Sequence, residues 1–340
     1  MIPHSRPCFN QDDADEVCRV VASGYTASGE QARRLEQTVK SNLCRKDAVA
    51  VDSGTSALML ALLALMMGQR VKRVGIPAYA CASLLFAVRA AGCEAVPMDC
   101  QMDLRLDAEK ARALEEGLDV VILVHPFGMI EPLVNEAWSC PVIEDIAQAA
   151  GAELDGKPVG SFGDISIASF YATKPWGGAY GGMVLADEDI CAYVRGMIHP
   201  DSTDFAQRYV GHHRLSDVHA ALALSHMKKA KDEFKRRAQQ FEWLDACLPE
   251  SLVESVAHRY QGSMYRYIVR GQDKAEDWLL GLHQAEIGAE RPVQKPYDQA
   301  LGATCMGAQQ AWLDCVSLPV LAYITEDEKY IYKQGLKDCF

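Results

Sequence analysis

The order of apolar and polar positions along the chain predicts strands and helices in alternation. Apolar residues recur at helical spacing over residues 13–22, and S-G-Y-T-A-S-G (23–29) breaks that pattern. A second helix over 30–42 carries Leu35, Val39 and Leu43 on one face. The run A-V-A-V-D (48–52) reads as a short strand, and S-G-T-S (53–56) as a tight hydroxyl-rich turn opening an apolar helix from Ala57. Further strands are predicted over 73–77, 95–99, 119–124, 142–145, 164–170 and 183–187, with helices over 83–91 and 108–116. Such alternation with β-branched runs predicts an α/β fold, a mostly parallel sheet covered by helices on both faces. Ligands then belong at the carboxyl ends of the strands. From about Leu215 the texture changes: one long helical stretch over 218–247, strands over 264–269 and 290–293, and helices over 275–285 and 326–336. We read 1–215 as a large domain and 216–340 as a smaller α+β domain, with no internal repeats and no low-complexity linkers.

Composition narrows the function classes. Hydrophobic residues make up 49% and charged residues 24% of 340, an ordinary balance for a soluble globular enzyme. A formal net charge of −12 argues against nucleic acid or anionic membrane as the main partner, while local donors can still hold a phosphate. No apolar run approaches the ~18 residues of a membrane span, and M-I-P-H-S-R-P has no signal core, so a cytoplasmic location is expected. The longest apolar run, 57–67, is punctuated like a buried helix. Twelve cysteines form no C-x-x-C pair, which predicts reduced core thiols rather than disulfides or zinc ligands. His212 and His213 are adjacent and cannot both face one ion without carboxylate or cysteine partners, so no metal is expected there.

The chemistry concentrates in 142–182, V-I-E-D-I-A-Q-A-A followed by G-D-I-S-I-A-S-F-Y-A-T-K-P-W-G-G-A-Y-G-G. Asp145 closes one apolar run, Ser169 closes another, and Lys174 lies in a Gly- and Pro-punctuated loop. A buried-strand carboxylate, a hydroxyl and a loop lysine are the parts a pyridoxal phosphate site needs: a ring-nitrogen partner, a phosphate ligand and a Schiff-base amine. From these residues alone a solvated surface lysine is an equal reading. The turn at Ser53, Gly54 and Thr55 opens a helix whose free N–H groups can hold a phosphate, and plain N-capping by Ser53 or Thr55 explains it as well.

Taken together, the motifs resemble the DegT/DnrJ/StrS family of PLP-dependent aminotransferases, which act mostly on nucleotide-linked keto-sugars. The likeness runs through S-G-Y-T-A-S-G-E, V-D-S-G-T-S-A-L, V-I-E-D-I-A-Q-A-A-G-A-E-L-D-G-K-P-V-G-S-F-G-D, S-F-Y-A-T-K, R-L-S-D-V-H-A-A and V-S-L-P-V, nearly the whole chain in order. It implies fold type I, a large domain on a seven-stranded sheet with a smaller C-terminal domain, and a homodimer with active sites at the interface. It also implies roles: Lys174 as Schiff-base lysine and proton carrier, Asp145 as partner of the pyridinium nitrogen, Gln148 at the ring O3′, and Gly54, Thr55 and Ser169 as phosphate cradle. The activity implied is amino transfer, with glutamate as donor, to a keto-sugar in surface-polysaccharide or secondary-metabolite biosynthesis.

Departures from the family pattern cluster on the substrate side. Cys81 stands where an aromatic ring often stacks on the cofactor, with Tyr79 two residues earlier as a substitute, and a buried unactivated thiol is the plainer reading of Cys81. His212 replaces an Asn that reaches the partner subunit's phosphate, and Tyr180 replaces a Glu. Arg214 aligns with an interface arginine. Arg33, Arg34 and Arg291 are candidates for a substrate carboxylate or diphosphate, or are simply solvated. Two rivals follow: a PLP lyase or desulfurase acting through Cys81, and a non-catalytic PLP-binding regulatory protein.

Overall fold

In the computed structural model, which describes residues 1–199, 211–253 and 262–340, the predicted alternation folds as a layered α/β structure. Its first part comprises α1 (Gln11–Ser23), α2 (Glu30–Asn42), β1 (Asp47–Val51), α3 (Gly54–Leu65), β2 (Arg73–Pro77), α4 (Ser83–Ala90), β3 (Glu94–Met98), α5 (Ala108–Leu114), β4 (Val120–Val124) and β5 (Val142–Asp145). A two-residue hairpin of β6 (Glu153–Leu154) and β7 (Lys157–Pro158) leads to β8 (Ile165–Ser169), β9 (Gly182–Ala186) and α6 (Glu188–Met197). Then come α7 (Asp217–Met227), α8 (Ala230–Asp245), α9 (Glu250–Val253), β10 (Tyr267–Arg270), α10 (Ala275–Gln284), α11 (Met306–Asp314), β11 (Cys315–Leu318) and α12 (Glu326–Cys339).

Seven strands form the main sheet in the order β1-β9-β8-β5-β4-β2-β3. Only β9 runs against its neighbours, so β1, β8, β5, β4, β2 and β3 all end at one edge. Period-2 alternation sends Val49, Val51, Val184 and Ala186 to one face and Ala48, Ala50, Met183 and Leu185 to the other. On the first face α3 is apolar nearly all round, with Ala57 through Leu62 buried between the sheet, α4 and α6. The second face takes α2 through Leu35 and Val39, and α7 through Ala220 and Ala223. A separate core, with Phe241, Leu244, Tyr267, Trp278, Val316 and Tyr332, joins α8, α10 and α12 to the antiparallel pair β10–β11. The start of the chain joins it too, since Ile2 exchanges backbone hydrogen bonds with Glu286 and Gly288, both at 2.8 Å. Among the described residues no helix is long and apolar enough to cross a membrane.

Two predicted elements differ. The stretch 218–247 is two helices, because the chain turns at Lys228–Lys229, where the amides reach back to Ser225 and His226. Lys229 faces inward there and pairs with the buried Asp13 of α1. No strand forms at 290–293: Glu290 makes a single bridge to Ser317 and the ladder stops before Pro292, which has no N–H to give. Helices α6, α9 and α11 went unpredicted. All twelve cysteines are free, but Cys18, Cys44 and Cys81 are exposed, so the core reading fails for those three.

Candidate active site

The site residues sit at the edge where the six parallel strands end. Ser53 follows β1 and caps α3, its Oγ accepting from Ser56 N at 3.1 Å, while Thr55 is exposed in the first turn. Gly54 lies against the end of β8: a Cβ placed on it would be 3.2 Å from Ser169 Cβ and 3.4 Å from its Oγ. Gly182, which opens β9, is tighter still, and a Cβ there would overlap the Ser53 carbonyl and the Gly54 amide. The turn, Ser169 and the first amides of α3 therefore form a close concave cradle of N–H and O–H donors at a helix N-terminus. Gly182→Ala is expected to push the turn outward, lowering stability by about 1–3 kcal/mol and weakening pyridoxal phosphate binding about tenfold. Thermal melts and a cofactor titration check this, and an unchanged Tm with unchanged affinity would reject the cradle.

Asp145 is buried at the end of β5, and its Oδ1 accepts from Ala147 N at 2.9 Å. The described residues give its Oδ2 no hydrogen bond. Burial raises its pKa, against the pull of the Ala147 amide and of the charge on Lys174. Behind it lies a fully buried pair: His125 Nε2 is 3.0 Å from Glu144 Oε1, and Glu131 N donates to His125 Nδ1 at 3.1 Å. Since Nδ1 accepts, Nε2 carries the proton and donates to Glu144. Glu144 also accepts from the amides of Gly160, Phe162 and Gly163, at 2.5, 2.9 and 3.0 Å. Burial alone would raise its pKa, but these bonds hold it below the ordinary value. The result is a rigid backing that fixes the strand end carrying Asp145.

Lys174 lies half-buried in the loop between β8 and β9, its amide donating to Tyr171 O at 2.8 Å. Its Nζ makes no ion pair with the described residues and stands 5.1 Å from the centre of the Tyr265 ring. Tyr265 is itself buried, and Arg266 lies over the same ring at 4.4 Å. Burial would raise the phenol, yet Lys174, Arg266, a hydrogen bond from Thr173 and Arg237 bring it down to about 8.

The remaining candidates divide. Gln148 Oε1 accepts from Phe127 N at 2.7 Å, which orients its amide from the strand-end side. Tyr79 is buried in a core with Phe127 and Cys100 and donates to Ala311 O at 3.3 Å, so its ring is packed rather than open. Cys81 is exposed, contrary to the expected buried thiol, because it falls in the surface loop before α4. Tyr180 is 59% exposed and packs edge-on against Tyr171 and His219. His212 is exposed, and its neighbour His213 pairs with Asp52 at 3.0 Å beside the cradle turn. Arg214 bridges Val51 through its backbone and donates to Ser28 O at 3.0 Å. Arg291 is taken up by Trp312, whose ring it covers at 4.0 Å, and by Glu276 at 2.7 Å. Arg34 donates to Gln31 at 3.0 Å on the surface of α2.

Sequence reading passed over His125, Glu144, Tyr265 and Arg266. Glu144 did carry a signal, an acid in the interior of an apolar strand. Tyr265 and Arg266 carried none, since their place beside Lys174 depends on how the β10–β11 unit docks on the loop.

A pyridoxal phosphate fits these residues: a donor-lined cradle for the phosphate and, among the described residues, a buried carboxylate oxygen without a partner for the ring nitrogen and a lysine amine without an ion pair. The comparisons agree. A model of the DegT/DnrJ/EryC1/StrS aminotransferase family matches residues 7–334. The UDP-4-amino-4,6-dideoxy-N-acetyl-beta-L-altrosamine transaminase of Campylobacter jejuni is 28% identical over 261 residues, 72% of this chain and 69% of its own. The aminotransferase TlmJ of Streptoalloteichus hindustanus superposes with a TM-score of 0.89 at 21% identity, covering 99% and 98% of the two chains. The PLP form of the putative sugar aminotransferase Spr1654 of Streptococcus pneumoniae gives 0.85 at 20% identity, covering 99% and 98%. The chain belongs to the DegT/DnrJ/EryC1/StrS aminotransferase family, and it is a PLP-dependent aminotransferase of fold type I.

Proposed function

We propose that this enzyme moves an amino group from L-glutamate to a nucleotide-linked keto-sugar, as a homodimer, in surface-polysaccharide or secondary-metabolite biosynthesis. The observation that supports it most is the placement of Asp145 and Lys174 beside the cradle of Ser53, Gly54, Thr55 and Ser169, with one Asp145 carboxylate oxygen and the Lys174 amine unpaired among the described residues. The Campylobacter relative, whose name specifies a UDP-linked amino sugar, supports the substrate class. Bound pyridoxal phosphate supplies an electrophilic carbonyl and an electron sink. With the cofactor bound, Lys174 Nζ would hold its carbonyl end and, once displaced by the incoming amine, would be the base that moves the proton at the α-carbon of the donor and the acid at the carbon that receives the amine. Asp145 keeps the ring nitrogen protonated, and Gln148 orients the ring edge. Tyr171 and Tyr180 form an exposed aromatic pair on the lysine loop, the kind of surface a second subunit covers.

The test is incubation of the PLP-loaded protein with L-glutamate and a panel of nucleotide-linked 4-keto-sugars. Release of 2-oxoglutarate matched by an aminated sugar in the mass spectrum is expected. Release of 2-oxoglutarate without any aminated sugar would move the acceptor to another class of ketone. No release at all would reject glutamate as donor.

A further inference from the structure

Tyr265 lies just before β10, far along the chain from the lysine loop, yet its side chain meets that loop at two successive residues. Its phenolic oxygen takes a hydrogen bond from Thr173, and Lys174 Nζ stands 5.1 Å from the centre of its ring. Among the described residues Lys174 Nζ makes no hydrogen bond and no ion pair, so the ring face is the neighbour that fixes where the amine lies. The wall that carries this ring is firmly held. Tyr265 is 5% exposed, and its segment is fastened to the turn after β4. Ser263 N donates to Gly128 O at 2.9 Å, Arg266 N donates to Phe127 O at 3.1 Å, and Ser263 Oγ donates to Gln148 O at 2.8 Å. Gly128, at φ +92°, permits the approach, since a Cβ there would stand 2.8 Å from both the Tyr265 amide and its Cβ. Arg266 lies over the same ring at 4.4 Å and donates to Oη at 3.1 Å.

A lysine ends a flexible four-carbon stem and samples many positions unless something holds its end. An ammonium over the face of an aromatic ring is attracted by the ring quadrupole, more strongly where water is excluded. The buried Tyr265 ring therefore narrows the positions open to the amine. Two neighbours sense the charge held there. Burial raises the Asp145 carboxyl and Lys174 pulls it back, so the seated amine is within electrostatic reach of the ring-nitrogen partner. Burial would likewise raise the Tyr265 phenol, and Lys174 is foremost among the groups that bring it down to about 8.

We infer that Tyr265 is a positioning residue for the transfer reaction, its ring serving as the seat that holds the Lys174 amine in place whenever that amine is free. The inference rests on Lys174 being the amine-transfer residue. Tyr265 then acts through Lys174 and not on the substrate. It governs how fast the lysine reacts and leaves the affinity for the amino donor alone.

The experiment compares wild type with Tyr265→Phe, which keeps the ring, and Tyr265→Leu, which removes it, in two measurements. One is the rate at which an absorption band at roughly 410–430 nm grows when pyridoxal phosphate is mixed with cofactor-free protein, a step that needs no amino donor. The other is the rate at which L-glutamate removes that band, followed over a range of concentrations to separate limiting rate from affinity. Tyr265→Phe should stay within about twofold of wild type in both. Tyr265→Leu should lose about threefold to tenfold in both limiting rates, the equivalent of one cation–π contact, with half-saturation by glutamate unchanged. Should Tyr265→Leu not fold, Tyr265→Met fills the space without a ring and carries the test. Should glutamate leave the band in place, the first measurement decides alone. A lower melting temperature of the Leu variant with both rates intact would make Tyr265 a packing residue and overturn the seat. Equal losses in the Phe and Leu variants, or weaker half-saturation at unchanged limiting rates, would overturn it too. No band in wild type, or a band that Lys174→Ala leaves in place, would instead overturn the assignment of Lys174, and the seat with it.

Discussion

Lys174→Ala is expected to lower amine transfer by at least about four orders of magnitude on the role proposed above, in which one side chain both holds the cofactor's carbonyl and carries the proton in each half-reaction. The loss should come without loss of fold. Lys174 makes no ion pair among the described residues, and its loop is held by backbone bonds from Lys174 N, Gly177 N and Gly178 N that a shorter side chain leaves in place. The contact the variant gives up is the approach of Nζ to the Tyr265 ring at 5.1 Å, a modest cation–π attraction. Its melting temperature should therefore lie close to that of wild type. The spectroscopic counterpart is an absorption band at roughly 410–430 nm in wild-type protein with pyridoxal phosphate, absent in the variant. The same band in both proteins would mean that another amine holds the cofactor, and the assignment of Lys174 would fall.

Much of this arrangement was legible because it follows from local pattern. Alternating apolar runs placed the seven strands of the main sheet to within a residue, and the convergence of Ser53, Asp145 and Ser169 follows from parallel strands sharing one end. What was not legible depends on contacts distant in the chain. The break between α7 and α8 is set by Lys229 reaching a buried acid in α1, which helical periodicity cannot report. The N-terminus of α2 is similar. Its own cap position, Gly29, offers no side chain, and Asp217, nearly two hundred residues on, accepts from the amides of Gly29, Gln31 and Ala32 at 2.7, 3.1 and 3.0 Å. That bond set gives a physical reason for S-G-E and R-L-S-D to occur together in one chain. Tyr79, two residues before Cys81 and offered as a substitute for the stacking ring, shows a related dependence, since its packing against Phe127 comes from a contact distant in the chain.

Asp145→Asn is expected to lower kcat about a hundredfold to a thousandfold, the usual cost of removing one preorganised electrostatic contact from a site shielded from water. Asn keeps the shape and can still accept from Ala147 N, so the loss isolates the charge that Asp145 contributes at the ring nitrogen. The visible band should persist, because Lys174 is untouched, and this separates the two variants. Stability gives an independent check through the sign of the pKa shift. Burial raises the Asp145 carboxyl, so its contribution to stability is fully present below its unfolded pKa and is lost as pH rises through the raised folded value. Above the raised folded value, without cofactor, the charged form is therefore a burden on the fold, and Asn should be at least as stable as Asp in melts there. With pyridoxal phosphate bound the order should reverse, since only the carboxylate then gains a cationic partner. A variant that is less stable than wild type in both states would assign Asp145 to the scaffold, and one with unchanged kcat would remove it from the reaction.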